Sequence, residues 1–162
     1  KKEYEPIIRP VKKDIEFKGS VRFENLSAVE LGALLAALEL PQGCAHKIGM
    51  AKPYGLGSIL LSAKLSLSDR VQRYSSFAEE LQPKDADNKK EELKNAFATC
   101  IAQALKTGDT STISEYWSKD KRMIQLKRLL TLDNNLGEQS ISYMNLSRFP
   151  QREVLPYPDK VK

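Results

Sequence analysis

The chain has 162 residues, of which 41% are hydrophobic and 29% charged, with a formal net charge of +5. That is enough chain for one domain with a real core and an ordinary globular composition, and no apolar run approaches the roughly 20 residues a membrane span needs. The positive balance leans toward an anionic partner, although scattered surface lysines account for it equally well.

The opening is polar and proline-bearing, begins Lys1-Lys2-Glu3 without methionine, and carries no signal-peptide apolar region. Residues 1–14 therefore read as a linker-like segment, and the whole as a C-terminal piece of a longer protein. Residues 15–24 alternate: Ile15, Phe17, Gly19, Val21 and Phe23 face one way, while Glu16, Lys18, Ser20, Arg22 and Glu24 face the other. This period predicts a half-buried strand. Ser27-x-x-Glu30 then forms a capping box, and Leu31, Leu34, Leu35 and Leu38 follow at helical spacing. Gly32 with Ala33, Ala36 and Ala37 leaves a smooth surface for close packing, and Pro41-Gln42-Gly43 ends the helix.

Cys44 to Ile48 reads as a short strand, and Ile59 to Leu67 alternates as a second one. Between them lies Gly49-Met50-Ala51-Lys52-Pro53-Tyr54-Gly55-Leu56-Gly57-Ser58. Glycine removes the Cβ that would block a phosphate from bare backbone N–H groups. The spacing matches neither the nucleotide-triphosphate loop, which ends in Gly-Lys-Ser/Thr, nor the dinucleotide fingerprint, and a ligand-free glycine hairpin satisfies it too. No acidic residue occurs from Cys44 to Ser68, while Lys47 and Lys52 flank Gly49, and Arg70, Arg73 and Tyr74 follow the second strand. Cations supply the sequence-independent part of nucleic-acid binding, and an aromatic such as Tyr54 can stack on an unpaired base or simply pack.

From Asp69 onward the character changes. Residues 82–92 are charged and predict an exposed loop. Leu93, Phe97, Cys100, Ile101 and Ala104 mark an amphipathic helix that stops at Gly108. Thr112-x-x-Glu115 is a second capping box, opening a helical region with a break near Ser118-Lys119-Asp120. Ser140 to Met144 predicts a returning strand, and a proline-containing tail follows. The resulting division is 15–74 for the sheet-forming portion, 75–139 for an inserted helical pair, and 140–162 for the return strand and tail.

His46 is the sole histidine, so any Ser-His-Asp or Cys-His centre would have to use it. Beside a phosphate-binding loop it is the candidate general acid or base for RNA cleavage, against the reading of a packing or phosphate-contacting histidine. Nothing in the sequence activates Cys44, and one Cys-x-His with a remote Cys100 does not supply a zinc site. No metal or cofactor is expected. Two separated cysteines in apolar contexts suit reduced thiols in a cytoplasmic protein, so the acceptor patterns at Asn25 and Asn145 are discounted for glycosylation.

The order of Lys18-Gly19-Ser20-Val21-Arg22-Phe23-Glu24-Asn25-Leu26, then Glu30 to Leu35, then His46-Lys47-Ile48-Gly49 through Gly55-Leu56-Gly57-Ser58, resembles the RAMP superfamily of CRISPR-associated proteins. It is most similar to the C-terminal part of type III subunits that form the effector backbone. The likeness covers residues 15 to about 74, with Arg148 to Pro158 also similar to the family's end. It implies an α+β, ferredoxin-like (RRM-related) half-domain whose glycine-rich loop precedes the last strand. It also implies CRISPR guide-RNA binding in antiviral defence, alongside other effector subunits or domains. The RNA-binding set would be Lys47, Gly49, Lys52, Tyr54, Gly55, Gly57, Ser58, Arg70 and Arg73. The family's target-cleaving aspartate belongs to an N-terminal half absent from this sequence, so no catalytic residue is carried over. Two alternatives stay open: a metal-independent guide-processing endoribonuclease using His46, and a module that docks a neighbouring subunit through its helical pair.

Overall fold

The computed structural model describes residues 9–52, 56–75, 83–106 and 111–132 together with Pro150, leaving aside the side chains of Gln72 and Arg73. Within them the chain is α+β. Helices α1 (Ala28–Leu38), α2 (Arg70–Ser75), α3 (Lys90–Leu105), α4 (Ile113–Lys119) and α5 (Lys121–Leu130) are joined by four two-residue strands. Strands β1 (His46–Lys47) and β2 (Ser58–Ile59) form one antiparallel pair, and β3 (Ser66–Leu67) and β4 (Lys84–Asp85) form another.

The helices start where local chemistry places them. Ser27 Oγ accepts the Glu30 N–H while Glu30 Oε2 accepts the Ser27 N–H at 2.8 Å, which satisfies donors of the first turn of α1. Thr112 and Glu115 repeat the exchange at α4. The expected break falls at Asp120, which ends α4 and caps α5 by accepting the N–H groups of Arg122 and Met123. Helix α3 ends at Leu105, with Lys106 in the left-handed region (φ 52°); the expected stop at Gly108 lies outside the described residues.

Helix α1 lies on α3 at close range. A Cβ on Gly32 would overlap the Leu93 backbone carbonyl, so only glycine permits this approach. Two apolar clusters flank the contact. Leu31, Leu35, Leu65 and Ala86 form one, with Phe23, Leu34, Leu67 and Leu93 against it. Ala36, Ala98, Ile113, Tyr116 and Trp117 form the other, where Phe97 and Tyr116 meet edge to face with ring centroids 5.9 Å apart. Leu93, Phe97 and Ile101 of α3 and Ile113, Tyr116 and Trp117 of α4 pack in these clusters, while Cys100 and Ala104 of the expected α3 stripe are exposed, and Asn95 Oδ1 ties the helices by accepting the Ile113 N–H at 2.9 Å.

Three expectations need correction. Residues 15–24 carry no helix, turn or bend and belong to no sheet, and Ile15, Phe17 and Val21 are 52%, 80% and 63% exposed. Alternation supplies a face to bury but not a neighbouring backbone to bond, and no described strand runs beside this one. The strand expected over 59–67 survives only at its two ends, which belong to different sheets. At its centre side chains take the backbone: Glu39 Oε1 accepts the Ala63 N–H at 3.2 Å, and Lys90 Nζ donates to the Ala63 carbonyl at 2.8 Å. Finally, within 82–92 the described residues carry β4, one 3₁₀ turn (Asp87–Lys89) and the start of α3. The polarity there serves the backbone, since Asp87 Oδ1 accepts the Leu65 N–H at 2.7 Å and Asp85 Oδ1 accepts the Asp87 N–H at 2.9 Å. The strand expected at Ser140 to Met144 lies outside the described residues.

Candidate nucleic-acid interface

Strand β1 extends an arm that is anchored twice. At its start, the Ala45 N–H donates to the Leu130 carbonyl and the Leu132 N–H to the Gly43 carbonyl, each at 2.8 Å, so the end of α5 holds the chain. Beyond that point His46 pairs with Ile59 and Lys47 with Ser58, and the Ile48 N–H donates to the Gly57 carbonyl at 2.8 Å. The glycine-rich segment is therefore the turn of a β-hairpin.

Its bends explain its glycines. Gly49 and Gly57 have φ of +81° and +77°, where a side chain is strained. A Cβ on Gly57 would also overlap the Ile48 carbonyl, whereas one on Gly49 would meet open space. Gly49 therefore leaves its backbone accessible, and Gly57 closes the hairpin. Ala51 also has a positive φ, 58°, and is 4% exposed. No glycine marks that bend, so pattern reading passes over it. Tyr54 and Gly55 lie outside the described residues.

The predicted cations are placed differently from one another. Lys47 Nζ donates to Ser58 Oγ across the hairpin at 2.6 Å, and Lys52 Nζ folds back to donate to the Gly49 carbonyl at 2.6 Å. Each ammonium has three donors, so both remain able to bind an anion. Lys47, Gly49, Lys52, Gly57 and Ser58 are thus brought together on one hairpin. Arg70, at the start of α2, instead pairs with Glu24 at 2.9 Å on an exposed surface. The Arg73 side chain is outside the description.

His46 turns away from the loop. Its Nε2 lies 3.0 Å from the Leu38 carbonyl, one of the last in α1 and in need of a partner. Cys44 is buried, with Sγ 3.8 Å from the Lys127 carbonyl, while Cys100 is an exposed free thiol. Among the described residues no cluster of three or more His, Cys, Asp or Glu could hold a metal, and no helix is long and apolar enough to cross a membrane.

Sequence reasoning missed a partly buried ionic knot. Glu39 receives Lys90 Nζ at 2.7 Å and Lys94 Nζ at 3.2 Å, and Lys94 also reaches Glu91 at 2.6 Å. Burial pushes the Glu39 carboxyl up, but hydrogen bonds from Lys90, Lys94 and the Ala63 N–H outweigh it and hold the group below its usual range. Lys90 is raised, chiefly by its hydrogen bond to Glu39 and against its own burial. In sequence Glu39 only interrupts an apolar run, and its partners lie 51 and 55 residues away. A half-open cleft of about 500 Å³ adjoins the knot, with Trp117 and Lys127 also on its wall.

No family model, curated protein or solved structure matches the chain.

Proposed function

We propose that this chain binds CRISPR guide RNA as the C-terminal half of a ferredoxin-like RAMP domain in a type III-like effector complex. The supporting observation is the hairpin. Two left-handed glycines bend it, Lys47 and Lys52 sit on it, and no carboxylate occurs from Cys44 to Ser68 to oppose them. Such a surface suits contact with phosphates rather than base edges, and therefore affinity without sequence readout. Gly49 would present backbone, Lys47 and Lys52 would neutralise charge, and Ser58 would orient Lys47. Arg70 contributes less, because Glu24 already neutralises it. The contact of His46 with the end of α1 supports a packing role over a nuclease role.

The test compares the chain with Lys47→Ala/Lys52→Ala for binding a labelled single-stranded RNA at several salt concentrations. The expected result is weaker binding and a log–log salt slope shallower by about one to two, since each phosphate contact releases about one counterion. Identical affinity and slope would remove the hairpin from the RNA interface.

A further inference from the structure

The segment 15–24 belongs to no sheet, yet its ends are fixed. Asp14 and Asn25 sit at positive φ, 63° and 55°, and bracket ten residues without helix, turn or bend. A left-handed residue at each end stops a strand from growing, so the length available for pairing is set. The apolar face is divided along its length. Phe23 packs against the cluster of Leu31 and Leu35, while Phe17 and Ile15 point into solvent. Such a strand exposes unbonded N–H and C=O groups next to apolar side chains, which is a template for another strand.

The sequence of the segment chooses the partner. An antiparallel copy centred on Gly19 places Ile15 opposite Phe23, Phe17 opposite Val21 and Glu16 opposite Arg22, each twice by symmetry. Aromatic against β-branched and acid against base are the favourable cross-strand pairs. Neighbouring registers are worse. Centring on Ser20 sets Lys18 against Arg22, cation against cation, twice by symmetry. Centring on Lys18 faces that lysine with itself, and centring on Val21 leaves Ile15 and Phe17 uncovered. A one-residue slip puts apolar against polar side chains, and parallel in-register pairing stacks like charge on like. In the Gly19 register Asp14 falls opposite Glu24, but Glu24 is already neutralised by Arg70 within its own chain. The exposed Ile15 of each copy then lies beside the Phe23 that its partner anchors to the helical core.

We propose that residues 15–24 form a two-fold antiparallel strand pair with a second copy of this chain, centred on Gly19. The segment shares no strand pairing with the glycine hairpin, so this dimer does not require that hairpin to bind RNA.

Sedimentation of the full chain over a range of concentrations tests this directly. The expected result is a reversible monomer–dimer equilibrium. Glu16→Arg should raise the dimer dissociation constant by about tenfold or more, because two Arg–Arg contacts replace two ion pairs. Glu16→Arg/Arg22→Glu should restore dimerisation, which general surface damage would not do. Gly19→Cys in a Cys100→Ser background adds a geometric check. A Cβ at Gly19 meets nothing within 4 Å, and antiparallel partners sit about 4.5–5.5 Å apart at Cα, within disulfide reach. Oxidation should give a covalent dimer. A chain that stays monomeric at all concentrations overturns the proposal, including the case in which this strand pairs only with another protein's sheet. So does a dimer that ignores the charge swap and does not cross-link through Cys at position 19.

Discussion

The helical half and the strand-forming half of this molecule satisfy their polar groups in opposite ways. In the helical half, charges and backbone groups close on one another. Glu39 binds two lysines and an amide, and two capping boxes finish α1 and α4. Around the hairpin and in residues 15–24, side chains and backbone remain open: Phe17 and Met50 are 80% and 87% exposed, and the lysine contacts there are exposed. Closed networks hold shape, and open ones leave a surface for a partner. Substitutions in the first region should therefore change stability, while those in the second should change association.

The sharpest break comes at Glu39. Glu39→Ala leaves Lys94, whose side chain is 10% exposed, with Glu91 alone, and takes the acceptor from the Ala63 N–H. A loss of about 3 kcal/mol is expected by urea denaturation, because a buried cation keeps its desolvation cost when its partner goes. The pH dependence has a definite sign. The folded-state carboxyl lies below its ordinary 4.5, so its contribution is present above pH 4.5 and is lost as pH falls below that through the lowered value. Lys90 is raised above 10.5, so its contribution is complete below pH 10.5 and fades as pH rises through the raised value. Glu39→Gln should flatten the acid side of the stability profile. An unchanged acid limb would mean that the knot does not set it.

Glycine pairs the two halves more closely. Gly32→Ala drives a Cβ into the Leu93 carbonyl and should cost about 2 kcal/mol, the scale of overpacking in a core. Gly19→Ala, in the open segment, meets nothing within 4 Å and should change thermal stability by less than about 0.5 kcal/mol. Equal effects at the two sites would erase the distinction between a closed and an open region.

What could be read from the sequence follows the range of the interactions involved. Ser27-x-x-Glu30 and Thr112-x-x-Glu115 act within one turn, and both helices begin where those residues place them. Gly32 was legible as a packing surface, though not its partner Leu93. Strands depend on a distant backbone. The alternation at 15–24 is real, but no described strand lies beside it, and that at 59–67 is interrupted because Glu39 and Lys90 reach Ala63 first. The site divides likewise. The glycines announced a hairpin, whereas the left-handed Ala51 and the neutralisation of Arg70 by Glu24 needed the fold.

The smallest expected effect probes how far local capping supports the closed half. Helix α4 has only seven residues, yet it carries Ile113, Tyr116 and Trp117 into the core. So short a helix cannot persist on propensity and relies on its cap and on packing. Thr112→Ala removes the acceptor for the Glu115 N–H and should cost about 1 kcal/mol. Glu115 is held down to about 2, first by Lys119 and then by the Ser111 N–H, so its half of the box should endure below pH 4.5 and fail only as pH approaches 2. Trp117 is the chain's single tryptophan, so its emission reports this helix alone. If the cap matters locally, Thr112→Ala should red-shift that emission at urea concentrations where far-ultraviolet circular dichroism is still native. Coincident transitions would instead show that packing against α3 binds α4 to the rest of the core, with the cap adding to global stability only.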